Sequence, residues 1–207
     1  MSMTETISDD ANVLYLSIVG GNMVQKVEEG TPGAKRRDWE VWQGEDKKSW
    51  TKYEIHHKNL VGIISGMEFV DGNYGEQFIL TMTNWEDTAK IHTNASKTSR
   101  YFQDFAKKLP NVNIDQEITL NTFDFKTKDG KQLKGMDIKQ NWEKITSYYW
   151  DGKKSVNGLP LKDKEDDWED HFKKEFKFLK SEVQKVELST VNVEQPLEVN
   201  EAEDVFE

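Results

Sequence analysis

Aromatic and basic side chains interleave through the middle of this chain. Tyr74, Phe78, Trp85, Lys90 and His92 lie in one stretch, Phe123, Lys126, Lys128 and Lys131 in another, with Arg100 between them. Flat rings separated by cations are the residue types that stack on bases and neutralise phosphates without reading a sequence. Covalent chemistry finds less support. The chain has no Cys, which removes thiol nucleophiles, disulfides and Cys-ligated metals. It has neither a Gly-x-x-x-x-Gly-Lys-Ser/Thr phosphate loop nor a His-Glu-x-x-His pair. His56 and His57 are adjacent, so on a strand they point to opposite faces and do not chelate one ion. His171 stands at helical spacing from Asp167 and Glu175, a pattern more typical of surface pairs than of ligands. Carboxylates abound, but nothing singles out a pair for acid–base work. The reading is a non-enzymatic protein with no cofactor and no metal.

The elements that must carry these residues follow from periodicity. Leu60 to Val70 reads as a long strand interrupted by Gly62 and Gly66, positions suited to a bulge or sharp coil. Asp71 to Gly75 is a turn, Gln77 to Thr83 the return strand, Asn84 to Asp87 a second turn, and Thr88 to Thr93 a third strand. Ser96, Thr98 or Ser99 caps a helix whose apolar positions are Tyr101, Phe102, Phe105 and Leu109, and Pro110 stops it. Glu117–Lys126 and Gln132–Gln140 then form a hairpin around Thr127-Lys128-Asp129-Gly130-Lys131. Three strands, a helix and two strands is the order of an OB-fold, so the expected class is all-β with added helices, centred on an OB-like five-stranded barrel. An SH3-like barrel lacks the helix, and a sandwich wants more strands.

On that barrel the ligand face belongs to strands two and three and the bordering loops. Lys90 and His92 alternate with Ala89 and Ile91, and so point outward. Phe123 and Phe125 oppose the parity of Ile118 and Leu120, so one set is exposed. Phe78 shares parity with Leu80 and Met82, leaving it either core or base-stacking. Trp85 is an exposed plate or a lid over the core. Arg100 reaches phosphate or pairs with Asp104 one turn on. The cluster from Lys126 to Lys134 is a phosphate contact or a solvated hairpin.

Outside the barrel, Val13–Val19 is a strand closed by Gly20-Gly21, with a return over Met23–Val27. Glu28 to Arg37, with Gly30, Pro32, Gly33 and Lys35-Arg36-Arg37, reads as a mobile loop with a positive knot. Trp39, Val41, Trp50 and Tyr53 anchor a weakly alternating stretch around a polar turn. Asp166 to Val186 is an amphipathic helix through Trp168, Phe172, Phe176, Leu179 and Val183, whose stripe packs on the barrel or on a second copy in a homodimer. The resulting division is a flexible terminus over 1–12, the OB-like domain with its strand extension over 13–150, loop and helix over 151–186, and a disordered acidic tail over 187–207.

Composition fits a folded centre with polar flanks. A mean hydropathy of −0.82 and 32% charged residues lean towards disorder, but 11% aromatic residues argue for a core. The net charge of −10 opposes phosphate binding only when taken whole. From Val186 on there is no Lys or Arg, against seven acids. Taking those seven from 38 leaves 31 acids against 28 bases, a charge of −3 on the body. No apolar run approaches the length of a membrane span, and the first residues lack a signal peptide's pattern, so the expectation is a soluble protein with no membrane partner.

Several segments, taken together, resemble a known family. They are Leu60–Gly62, Phe69-Val70-Asp71-Gly72-Asn73-Tyr74-Gly75-Glu76-Gln77-Phe78, Ser99-Arg100-Tyr101 running to Leu109-Pro110-Asn111, Gly135 to Asn141, and Asn157-Gly158-Leu159-Pro160. Across residues 13 to 185 the chain is similar to single-stranded DNA-binding proteins of tailed phages, including crAss-like phages of gut bacteria. The resemblance implies single-stranded DNA as ligand, a role in phage replication or recombination, and residence in the cytoplasm of the infected bacterium. Where such proteins carry Trp in the second barrel strand, this chain has Phe78. Its end, Glu203-Asp204-Val205-Phe206-Glu207, resembles the acidic tips with which bacterial and phage single-strand-binding proteins recruit replication and recombination proteins, except that Phe206 is penultimate. The competing reading is a phage protein–protein adaptor or virion-associated protein.

Overall fold

Gly62 marks where the longest strand changes partner. In the computed structural model, which describes residues 13–43, 46–73, 75–84 and 87–188, strand β5 (Asn59–Gly72) pairs through Asn59–Gly62 with β8 (Ile118–Lys126) and from Ile63 onward with β6 (Gly75–Thr83). A Cβ on Gly62 would lie 2.6 Å from the carbonyl oxygen of Thr83, so only glycine lets the two backbones approach this closely. A register shift between Ile64 and Gly66 completes the bend. β7 (Thr88–Asn94) follows β6, then helix α1 (Arg100–Lys108), β8 and β9 (Gln132–Gln140). These bounds lie within a few residues of those expected from periodicity.

The rest of the sheet corrects the five-strand expectation. β1 (Val13–Val19), β2 (Asn22–Val27), β3 (Lys35–Gln43), β4 (Asp46–His57) and a short β10 (Glu143–Lys144) join it, giving ten strands in the order β10-β9-β8-β5-β6-β7-β1-β2-β4-β3. Every junction is antiparallel except β1–β7, which is parallel and aligns Tyr15 with Lys90 and Ser17 with His92. The sheet is open: among the described residues β7 does not pair with β9, because β1 occupies the free edge of β7. α1 shields β9 instead. The Asp104 carboxylate accepts from the Met136 N–H at 2.8 Å. The buried Lys108 ammonium donates to the Met136 carbonyl and pairs with Asp104 at 2.9 Å and Asp137 at 3.6 Å. These side chains satisfy backbone groups that a neighbouring strand would otherwise take. The Lys35-Arg36-Arg37 segment, expected as a mobile loop, is the start of β3 and pairs with Glu54, Tyr53 and Lys52.

The core lies between the inner face of the sheet and α1. Phe78, Leu80 and Met82 of β6, Ile91 of β7 and Leu16 of β1 meet Phe102 and Phe105 of the helix, all fully or nearly fully buried. α2 (Trp168–Gln184) is N-capped by Asp167, which accepts from the Asp170 N–H at 2.7 Å. Its stripe packs on the same chain: Leu179 and Val183 are buried, Phe176 sits 5.6 Å from Phe102 edge-on, and Glu175 pairs with Lys107 of α1. Val186 and Leu188 extend that packing beyond the helix. Among the described residues no helix is long and apolar enough to cross a membrane.

Candidate nucleic-acid interface

Strand alternation puts Phe78, Leu80 and Met82 of β6, Ile91 of β7 and Leu16 of β1 inward, so the residues between them share the opposite face. Register then builds a surface residue by residue. Thr81 of β6 lies opposite Lys90 of β7, and Lys90 lies opposite Tyr15 of β1. Tyr15 is 51% exposed; the Lys90 ammonium is 5.9 Å from its ring centre and the His92 ring 6.3 Å away. The same face passes through Val24 and Lys26 of β2, His56, Glu54, Lys52 and Trp50 of β4, and Lys35, Arg37 and Trp39 of β3. Trp39 and Trp50 are stacked with centres 6.0 Å apart. Lys52 and Arg37 flank the Trp39 ring at 4.5 Å and 5.6 Å. On the same face the buried Glu54 holds Arg37 at 3.3 Å and His56 at 3.5 Å. Among the described residues Lys52 and Lys90 have no carboxylate at ion-pair distance.

His92 sits partly buried in this face. Burial pushes its pKa below the ordinary imidazole value; Glu68 opposes that shift and Lys90 adds to it. Its Nδ1 lies 3.4 Å from Gln77 Oε1, and its Nε2 is buried with no hydrogen-bond partner among the described residues. His57 faces the other side of β4, and burial followed by the neighbouring His56 lowers its pKa as well.

No known family model, curated protein or solved structure matches this chain.

Of the residues expected at the site, Lys90 and His92 lie on the outer face as alternation required. Phe78 is withdrawn from it. The ring has no exposed surface and is enclosed by Phe69 at 5.2 Å, Phe102 at 5.2 Å and Phe105 at 5.5 Å, so the parity it shares with Leu80 and Met82 decides its place. Phe123 is half-buried over Gly135, while Phe125, 5.8 Å from it, is 52% exposed. Lys126, Lys128 and Lys131 are exposed on the β8–β9 hairpin, which Thr127 closes through its hydroxyl and the Lys131 backbone. That hairpin stands beside the β1–β2 turn rather than on the face. There Gly21, at φ +78°, donates its N–H to the Tyr101 hydroxyl at 3.1 Å and accepts from Thr122 at 2.9 Å. A Cβ on Gly21 would lie 2.3 Å from the Asp124 nitrogen, so a side chain there would push the turn off β8.

Arg100 opens α1 without pairing to Asp104, whose carboxylate is engaged by Met136 and Lys108; it lies 5.9 Å from the Phe172 ring. Tyr74, Trp85 and the tail residues Glu203, Asp204, Val205 and Phe206 fall outside the described residues. Tyr15, Trp39, Trp50 and Lys52 were not anticipated as site residues. Tyr15 was legible, since it alternates with Leu14 and Leu16. The Trp pair was not, because it depends on the register of β3 against β4.

Proposed function

We propose that this chain binds single-stranded DNA along the outer face of β6-β7-β1-β2-β4-β3. One observation carries the reading: an aromatic plate at Tyr15 and a stacked pair at Trp39–Trp50 share one sheet face with Lys90, Lys52 and Arg37. Base–aromatic stacking is worth about 1–3 kcal/mol per base, and lysines free of carboxylates contribute by displacing counterions from phosphate. In this reading β5-β6-β7-α1-β8-β9 is an OB-like unit with spatial order β9-β8-β5-β6-β7, and β1 stands beside β7 where a closed barrel would place its last strand. Lys126, Lys128 and Lys131 act as a border of cations at the β1–β2 turn. The acidic end recruits replication or recombination proteins, and the setting is phage replication in the host cytoplasm, as the family resemblance suggests. The test is a titration of the full chain with oligo-dT. Intrinsic tryptophan fluorescence falls on binding, and affinity falls with salt at roughly 0.7 logarithmic units per phosphate contact.

A second reading, a protein–protein adaptor, draws on Trp142. This residue is 98% exposed and held at φ +69° in the β9–β10 turn, where nothing internal requires an indole. Absence of quenching at low salt would favour that reading over the first.

A further inference from the structure

Where β7 runs into α1, the unpaired seam between the β7–β1 edge and β9 leaves a pocket of about 320 Å³. Five parts of the chain wall it: Ser17 on β1, Gln77 on β6, His92 on β7, the lead-in to α1 with Thr98 and Arg100, and Lys134 on β9. No Asp or Glu is among the lining residues. The walls are tied in place. The Ala95 N–H donates to Glu76 at 2.9 Å, the Ser99 N–H to Ser96 at 3.0 Å, and the Gln103 amide to the Lys97 carbonyl at 2.6 Å, while Lys97 pairs with Glu169. The Ser99 hydroxyl already caps α1 by accepting from the Phe102 N–H, so the pocket's character comes from side chains and not from the helix end.

One feature asks for an anion. Arg100 has no carboxylate at ion-pair distance among the described residues, although Asp104 lies one turn away on the same helix. The His92 ring also lines the pocket, with Nδ1 3.4 Å from Gln77 Oε1 and Nε2 buried without a partner among the described residues. Lys134 adds a second positive group; it is shared with Asp124 at 3.5 Å and lies 4.8 Å from the Tyr101 ring. Ser17 and His92 also belong to the outer face, directly beyond Tyr15 and Lys90, so the pocket opens at one end of the proposed DNA track.

We infer that this pocket receives one phosphate group, held by the Arg100 guanidinium with Lys134 and the hydroxyls of Ser17 and Thr98. The planar fork of Arg100 suits two phosphate oxygens at once, and the hydroxyls serve the remaining lone pairs. The inference rests on the single-strand reading for its source, a phosphate at the end of a bound strand or within it. The pocket therefore fixes where along the face a strand is anchored.

The full chain is titrated with oligo-dT of one length carrying a 5′-phosphate, a 3′-phosphate or neither, and separately with inorganic pyrophosphate. Arg100→Gln is compared with wild type and with Lys139→Gln, a control at an exposed lysine on β9 outside the pocket. Arg100 is exposed and unpaired, so its variant keeps the wild-type melting temperature. Loss of a charge-assisted contact predicts about tenfold weaker binding in Arg100→Gln and little change in Lys139→Gln. If all three oligonucleotides weaken alike and the salt slope drops by roughly 0.7, the phosphate is internal. If only a phosphorylated end loses its advantage, the phosphate is terminal. Binding of pyrophosphate through Arg100 with no binding of any oligonucleotide keeps the pocket and overturns the single-strand reading. Oligonucleotide and pyrophosphate binding both indifferent to Arg100 overturns the pocket and leaves that reading standing.

Discussion

Replacing Tyr15 by Ala separates the proposed interface from the core beneath it. The ring is 51% exposed on the outer face of β1, with Leu14 and Leu16 on the other side of the strand carrying the packing. Its contribution to folding is that of an exposed cross-strand neighbour of Lys90, about 0.2–1 kcal/mol. For a chain of this size that shifts the melting temperature by no more than about 4 °C. A base stacked on the same ring contributes about 1–3 kcal/mol, so Tyr15→Ala weakens oligo-dT binding by about fivefold to about 150-fold. The ring makes no phosphate contact, and Lys90 stays in place, so the dependence of affinity on salt keeps its slope. Fluorescence anisotropy of a labelled oligo-dT, repeated at three salt concentrations and paired with a thermal melt, reads all three quantities. Affinity within twofold of wild type in a folded variant would refute stacking at Tyr15, and with it the strand path through β1.

Phe78→Ala has the opposite signature: emptying a fully buried ring site costs about 3–5 kcal/mol, a fall of at least about 6 °C in a thermal melt, whereas oligo-dT affinity below the melt is unchanged. Asp104→Ala strands the buried Lys108 ammonium and the Met136 N–H; with Asp137 still 3.6 Å away, the loss falls near about 3 kcal/mol, readable by urea unfolding. His57 and His92 both have pKa values lowered by burial, so the unfolded chain binds more protons than the fold once pH drops below the ordinary imidazole value of 6.5. Their effect on stability is absent above that value and grows unfavourable as pH falls through it, levelling off below the depressed folded values. Melts from about pH 7.5 to about pH 5.5 should show this decline, and it should be shallower in His57→Asn.

What the sequence revealed and what it hid divides by range. Period-two alternation placed Lys90 and His92 outward in Thr88–Asn94 and set Phe123 and Phe125 opposite Ile118 and Leu120 in Ile118–Lys126, because alternation is a local property of one strand. The glycine-broken β5 and the Ser99 cap were legible for the same reason. Phe78 had the parity of its buried neighbours, and an expected stacking role ran against that local signal. Lys35-Arg36-Arg37 resembled a loop because three cations following Gly30, Pro32 and Gly33 mask a strand; its pairing with Glu54, Tyr53 and Lys52 depends on residues far along the chain. The parallel placement of β1 against β7 has no local signature at all. It is the feature that turns an expected five-stranded barrel into an open ten-stranded sheet and puts Tyr15 beside Lys90.

That junction also sets when the proposed interface comes into being. A hairpin can close as soon as its turn forms, but a parallel pair waits for the crossover between its strands to fold. Everything from β2 to β6 lies between β1 and β7, so Tyr15 and Lys90 become neighbours only once both hairpin systems have formed and docked. The Gly21 turn, latched to Tyr101 and Thr122, is fixed in the same step. A chain in which β1 has come away still holds the β5–β9 strands around Phe78 and Phe102, yet it has no Tyr15–Lys90 platform and exposes the edge of β7. The expected outcome is that the interface assembles late in folding and is lost early in partial unfolding, so that amide exchange along β1 tracks the binding-competent fraction more closely than exchange in the core.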